Sequence, residues 1–169
     1  MNELETLIEA RKWKQAEPLL LSELQDAPTD HWLWYTLSLA HYEQKRYDKA
    51  FACARRSVEL QADCPLALWH LAGSAYMMGK EDMALAIWQI ILDKDLTQIA
   101  EGDCGEGMDA AMRLVNDVHY RVGRLYQRQG KVDQARDAYQ KYLHNREHGV
   151  ESTYDGAEAR KFLAKLEAA

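Results

Sequence analysis

The residues best able to do chemistry lie toward the C-terminus. His144-Asn145-Arg146-Glu147-His148 matches the bare pattern H-x-x-E-H, in which two histidines about one helical turn apart bind zinc and the glutamate activates water. A zinc hydrolase would also need a third ligand and a substrate cleft, and the surrounding sequence offers neither. Zinc hydrolysis is therefore a distant alternative, and a chance match on a polar helix end is the preferred reading. Gly102, Gly105 and Gly107 recur closely, but no Lys-Ser/Thr pair follows them, and Glu101, Asp103 and Glu106 would repel a phosphate. Cys53, Cys64 and Cys104 are odd in number and lack C-x-x-C spacing, so they read as reduced thiols of a cytoplasmic protein and as small packing residues. His31, His41, His70 and His119 are scattered and read as packing or surface residues. No catalytic residue, metal or cofactor is expected, and the chain is expected not to be an enzyme.

The elements that carry these residues follow from composition and periodicity. The chain has 169 residues, enough for one domain with a core of its own. Acidic residues outnumber basic ones 27 to 21, a net charge of −6. That balance argues against a general nucleic-acid binder or a protein of anionic membrane surfaces. No apolar run reaches membrane-spanning length, and Met1–Ala10 carries three glutamates without a basic segment, unlike a secretory signal. Three prolines and nine glycines are few, and the abundance of Ala, Leu, Gln, Glu, Lys and Arg predicts an all-helical chain.

An internal repeat organises the helices. A shift of 34 residues lays Leu37 on Leu71, Ser38 on Ala72, Ala50 on Ala84 and Trp34 on Leu68. The same shift carries Tyr47 and Ala50 back to Trp13 and Ala16. A shift of 51 then takes Leu71, Ala72, Gly79, Ala84 and Trp88 to Val122, Gly123, Gly130, Ala135 and Tyr139. An insertion of about 17 residues thus precedes the last full copy. Each copy reads as two amphipathic helices around a short turn. Ser38, Ala72 and Gly123 let the first helix approach its neighbour, and Ala16, Ala50, Ala84 and Ala135 do so for the second. Turns are predicted at Lys45-Arg46, Gly79-Lys80 and Gly130-Lys131, where glycine tolerates the left-handed backbone that stops a helix. Pro18 is expected near the start of its helix.

The stretches Trp34…Leu37…Tyr47…Ala50, Leu71…Gly79…Ala84…Trp88 and Val122-Gly123-Arg124-Leu125-Tyr126…Gly130…Ala135…Tyr139 together resemble the tetratricopeptide repeat, W-x2-L-G-x2-Y followed by a small Ala and an aromatic residue. The resemblance spans nearly the whole chain, although His119 stands where Trp is usual, and His41 and Ala75 where Tyr is usual. It implies an all-α fold, an α-α superhelix of three full helix pairs with a truncated N-terminal pair and a C-terminal capping helix. The expected plan is a single domain over 1–169, with units at about 2–27, 31–64, 65–95 and 116–149. An insert covers about 96–115, looped as far as 107, and the capping helix runs over about 154–168. The loop is acidic and the helices after it are basic, so the loop either folds back on them or leaves their arginines to an acidic partner.

The resemblance also implies a concave groove lined by the first helix of each unit. Its inward positions here are Trp32, Tyr35, Leu39 and Tyr42, then Trp69 and Tyr76 with Gly73 leaving room beside Trp69, then Tyr120, Arg124 and Arg128. Within each helix these lie three or four residues apart and share a face. Some co-chaperone members of the family clamp peptide carboxylates with Lys, Asn and Arg. Those slots hold Tyr35, Leu39, His70, Asp117 and Arg121 here, and only Arg121 fits, so that activity is not expected. The expected function is a non-catalytic protein-interaction module, adaptor or chaperone-like, that binds a partner peptide or segment in an aromatic groove. The expected partner is a protein or peptide, with no nucleic acid and no membrane. The alternative is a self-assembling structural protein, a homo-oligomer, whose groove is filled by its own chain or by another copy.

Overall fold

A computed structural model describes residues 3–168. Among the described residues there are ten helices and no strand: α1 (Glu3–Glu9), α2 (Trp13–Asp26), α3 (His31–Glu43), α4 (Tyr47–Leu60), α5 (Pro65–Met77), α6 (Glu81–Leu92), α7 (Leu96–Glu101), α8 (Met108–Arg128), α9 (Val132–Glu147) and α10 (Ala157–Glu167). They divide into two compact units, one ending at Ile87 and the other beginning at Trp88.

In the first unit α2 packs on α3, α3 on α4 and α4 on α5. Leu4, Trp13, Ala16, Leu20, Leu24, Leu37, Ala40 and Cys53 form one buried cluster. Small residues let the backbones approach: Ala16, Ser38, Ala50 and Ala72 are fully buried. The α3–α4 contact is also tied by two reciprocal hydrogen bonds. Ser38 Oγ donates to the Ala50 carbonyl at 2.9 Å, and Ser57 Oγ donates to the His31 carbonyl at 2.8 Å. The turn after α3 passes through Lys45 at φ 60°, and the turns after α5 and α8 place Gly79 and Gly130 at φ 75° and 70°. The first of these turns is fastened to α2. Glu17 accepts from Arg46 and Gln44, and the Arg46 guanidinium holds the Glu17 carboxyl below its ordinary pKa. Pro18 is near the start of its helix, as expected. It lies inside α2, in the second turn, and is exposed. Lys14, whose carbonyl loses its usual N–H donor there, is exposed as well, so water can serve that carbonyl.

In the second unit α7 packs on α8, α8 on α9, and α10 on both α8 and α9. Residues 96–101 are helical where the insert was expected to loop, because Asp95 and Gln98 form a capping box. The Asp95 side chain accepts from Thr97 N–H at 2.8 Å, and Gln98 reaches back to Asp95 N–H at 3.3 Å. The chain then folds tightly onto the end of α7. A Cβ added to Gly105 would lie 2.2 Å from the Ala100 carbonyl oxygen, so only glycine fits. The capping helix starts at Ala157 rather than near 154, since Gly156 immediately before it is left-handed at φ 76°. Cys53, Cys64 and Cys104 are buried and in no disulfide, and burial pushes the Cys53 thiol up to about 11.

Candidate functional site

The first unit carries an aromatic face across α3 and α5. Its position is set at Asp30, whose carboxylate accepts from Trp32 N–H at 2.8 Å and Leu33 N–H at 3.2 Å and so fixes where α3 begins. From that start, Trp32 and Tyr35 stand one turn apart with ring centroids 5.3 Å apart, edge to face. Tyr35 meets the α5 residue His70 at 5.2 Å, also edge-on, and Tyr42 meets the other side of His70 at 5.9 Å. Tyr42 in turn touches Tyr47 at 5.3 Å. The run Trp32–Tyr35–His70–Tyr42–Tyr47 is therefore continuous, and its members are mutually oriented as aromatic quadrupoles prefer. Trp32 is 37% exposed, and Tyr35, Tyr42, Trp69 and Tyr76 are half-buried. The His70 ring is desolvated between the two tyrosines, and its pKa is lowered to about 4. It is neutral at physiological pH and acts as one more aromatic plate.

Two expectations for this face need correction. Leu39 is half-buried and packs against the cluster of Leu4, Leu20 and Leu37. The space above Gly73 is not open either. A Cβ there would meet Tyr42 Cε2 at 3.7 Å, because the Tyr42 ring already lies over it.

In the second unit the α8 face expected to line a groove is covered. Tyr120 is buried at 6% exposure, stacked on Tyr154 with centroids 4.4 Å apart and flanked by Tyr142 at 5.0 Å. Arg124 pairs with Glu158 at 2.9 Å. Both expected groove residues are thus occupied by the chain's own C-terminal segment, and of the three only Arg128, at the end of α8, is exposed. The segment is held chiefly by Asp117, itself 4% exposed. Ser152 Oγ donates to Asp117 Oδ1 at 2.5 Å, Thr153 N–H donates to the same oxygen at 3.1 Å, and Thr153 Oγ1 donates to Oδ2. Arg121 Nε donates to the Tyr154 hydroxyl at 2.6 Å, and the Tyr142 hydroxyl donates to the Tyr154 carbonyl at 2.5 Å. Asp117, Ser152 and Thr153 were not expected here. Partners some 35 residues apart leave no local pattern, and only the D/S/T donor–acceptor chemistry hints at them.

The acids that meet Arg113 and Arg124 come from this same segment, Glu151 at 4.0 Å and Glu158, while Arg136 and Lys141 pair with Asp133 and Asp137 on their own helix. His144 and His148 are exposed at the end of α9 with ring centroids 4.2 Å apart. His148 Nδ1 lies 2.7 Å from the His144 carbonyl, which ties that ring to the helix end. Among the described residues no third metal-ligating side chain joins the pair.

Sequence profiles described as tetratricopeptide repeat match residues 31–64 and 117–146. Those are the helix pairs α3–α4 and α8–α9. The chain is a tetratricopeptide repeat protein. Its all-α fold has solved counterparts. Two crystal structures of MamA are each 17% identical: one covers 86% of this chain and 75% of that chain with a TM-score of 0.67, the other 96% and 85% with 0.68. A "MamA RS-1 ArsTM double mutant" structure is 14% identical, covers 98% and 90%, and has a TM-score of 0.64. No curated protein sequence matches the chain. Tetratricopeptide repeats are typically non-catalytic protein-interaction scaffolds, which makes this chain a protein-interaction module. No helix among the described residues is long and apolar enough to cross a membrane.

Proposed function

We propose that the chain binds a partner peptide or segment on the aromatic face of α3 and α5, as an adaptor or a chaperone-like holder. One observation carries this reading: an uninterrupted run of edge-to-face rings, from Trp32 through Tyr35 and His70 to Tyr42, that ends in a Trp more than a third exposed. Such rings bring large apolar area to a contact at little cost in side-chain entropy, and interface hot spots are enriched in them. Their mutual packing holds them in place before a partner arrives, which lowers the cost of binding. Trp69 and Tyr76 extend the same reading along α5. The odd set of three cysteines supports a reducing, cytoplasmic setting.

The test is capture from the source organism's lysate with wild type beside Trp32→Ala and Tyr35→Ala/Trp69→Ala. Each variant is first shown to keep wild-type far-UV dichroism. Each lost aromatic anchor should weaken a captured partner by about 1–3 kcal/mol, roughly tenfold or more in dissociation constant. Equal retention of every protein by wild type and both variants would remove this face from the function.

The covered face of α8 favours a second reading, in which the chain fills its own groove and has a structural, self-assembling role. Sedimentation of the wild type over a hundredfold concentration range tests it. A constant monomer mass would dispose of self-assembly.

A further inference from the structure

Two histidine rings lie against each other at the C-terminal end of α9. His144 and His148 stand four residues apart, one turn along the same face. Their ring centroids are 4.2 Å apart and their planes 39° from parallel. The local backbone explains the pairing. Gly149, left-handed at φ 86°, stops the helix immediately after His148. His148 itself is still close to helical at φ −93° and ψ 17°, so it keeps its register with His144. Both side chains are exposed. One contact then sets the tautomer of the second ring. His148 Nδ1 lies 2.7 Å from the His144 carbonyl oxygen. A carbonyl can only accept, so Nδ1 carries the proton, and in the neutral ring Nε2 is a bare lone pair. A carbonyl that holds one ring nitrogen and frees the other is the arrangement metal-binding histidines share. The surroundings suit a cation. The last turn is the negative end of the helix dipole, and Glu147 beside His148 is exposed. Of the nearby bases, Arg146 donates to the Val150 carbonyl at 3.0 Å and Lys141 pairs with Asp137 at 2.9 Å.

We propose that His144 and His148 form a chelating site for a divalent transition-metal ion of the zinc class, each giving one ring nitrogen, His148 through Nε2. Imidazole selects such ions over magnesium and calcium, which prefer oxygen. Zinc–imidazole bonds are about 2.0–2.1 Å long, so two donors to one tetrahedral ion lie roughly 3.3 Å apart. Rings already 4.2 Å apart reach that spacing by side-chain rotation, without movement of the backbone. Two protein ligands leave the other positions to water, which makes the site exchangeable rather than structural. The ion is bound and not put to hydrolytic use, since catalytic zinc takes three protein ligands and no third joins the pair among the described residues. The site is independent of the aromatic face of α3 and α5.

The probe is zinc sulfate alone, titrated calorimetrically into the full chain at neutral pH, beside His144→Ala and His148→Ala. Both positions are exposed, so neither variant is expected to lose its fold, and metal-free melts of all three proteins should coincide closely. Wild type should bind a zinc ion that excess magnesium does not displace. Each single substitution should weaken that binding about a hundredfold, the gain that two linked donors have over one. No binding by wild type would overturn the site. Zinc held undiminished by both variants would place it on other side chains, and a loss in only one variant would reduce the pair to a single ligand; either result overturns the chelate. A second measurement reads the tautomer. Long-range proton–nitrogen NMR spectra of the metal-free chain in mildly alkaline buffer should show His148 protonated at Nδ1, and zinc should shift its Nε2 resonance. A proton on Nε2 in the metal-free chain, or an Nε2 resonance that zinc leaves in place, would overturn the assignment.

Discussion

Replacing His70 by Phe should flatten the acid sensitivity of the first unit. The imidazole lies between Tyr35 and Tyr42 at 5.2 and 5.9 Å, and desolvation lowers its pKa from 6.5 to about 4. Above pH 6.5 the ring is neutral folded and unfolded, and it contributes no pH dependence. As pH falls below 6.5 the unfolded chain takes up a proton that the folded chain refuses, so stability is lost until the folded ring also titrates near 4. Proton linkage with these two values puts the loss at about 2 kcal/mol at pH 5 and about 3 kcal/mol once both states are protonated. Phe keeps a flat ring in the slot and cannot titrate. Urea unfolding followed by tryptophan fluorescence suits the test, since Trp13, Trp32, Trp34 and Trp69 all precede Ile87. Between pH 8 and pH 5 the wild type should lose about 2 kcal/mol more than His70→Phe. The comparison cancels His41 and His119, whose pKa values burial also lowers, because both proteins contain them. Parallel losses in the two proteins would mean that His70 takes up its proton in the folded state, and the continuous aromatic run would then be wrong at its centre.

Two further substitutions probe the packing rules behind the repeat. Gly123→Ala should cost about 1–3 kcal/mol by overpacking. Its Cβ would fall 2.7 Å from the ring of Tyr139, which is fully buried and bonded to Gln127 at 2.7 Å. Gly73→Ala is the control: its Cβ would make an ordinary 3.7 Å contact with Tyr42, and thermal melts should show it neutral or up to about 1 kcal/mol stabilised by helix propensity. Lys45→Gly should stabilise the chain by up to about 1 kcal/mol in urea titrations, since Lys45 holds φ 60° where the equivalent turns use Gly79 and Gly130. A loss of stability would mean that the Lys45 side chain contributes more than the left-handed backbone costs.

What the sequence made legible is what repeats. The alternation of small and large residues at a fixed period is a packing rule written once per unit, so Ser38, Ala50 and Ala72 could be placed at helix contacts by comparison alone, and all three are fully buried. The turns were legible for the same reason. Features that occur once had no such comparison. The capping box that makes 96–101 helical was present as Asp95 and Gln98, but the acids and glycines around it pointed to a loop. Leu39 follows the helical spacing of Tyr35 and Tyr42, yet it packs against the core cluster of the first unit. Tyr120 could be placed on its helix but not in its surroundings, since its cover, Tyr154, arrives from 34 residues later.

Two arginines of α8 pair with acids that no count of charge along the chain would single out. The acidic insert and the basic helices that follow it suggested a pairing of blocks. Two pairs on α8 join it to a distant segment, Arg113 with Glu151 and Arg124 with Glu158. Each involves side chains at least a third exposed, and exposed pairs contribute about 0–1 kcal/mol. They orient the C-terminal segment without holding it. What holds it is the one carboxylate the fold takes out of water, Asp117, together with the Tyr120–Tyr154 stack. Removing a donor from a buried carboxylate costs about 1–3 kcal/mol or more, whereas removing a rim arginine costs little. Arg124→Ala should therefore lower stability by no more than about 1 kcal/mol in urea titrations, and Ser152→Ala/Thr153→Ala, which leaves Asp117 buried without those hydroxyl donors, should lower it by more. That ordering is the reverse of what charge density along the sequence would suggest.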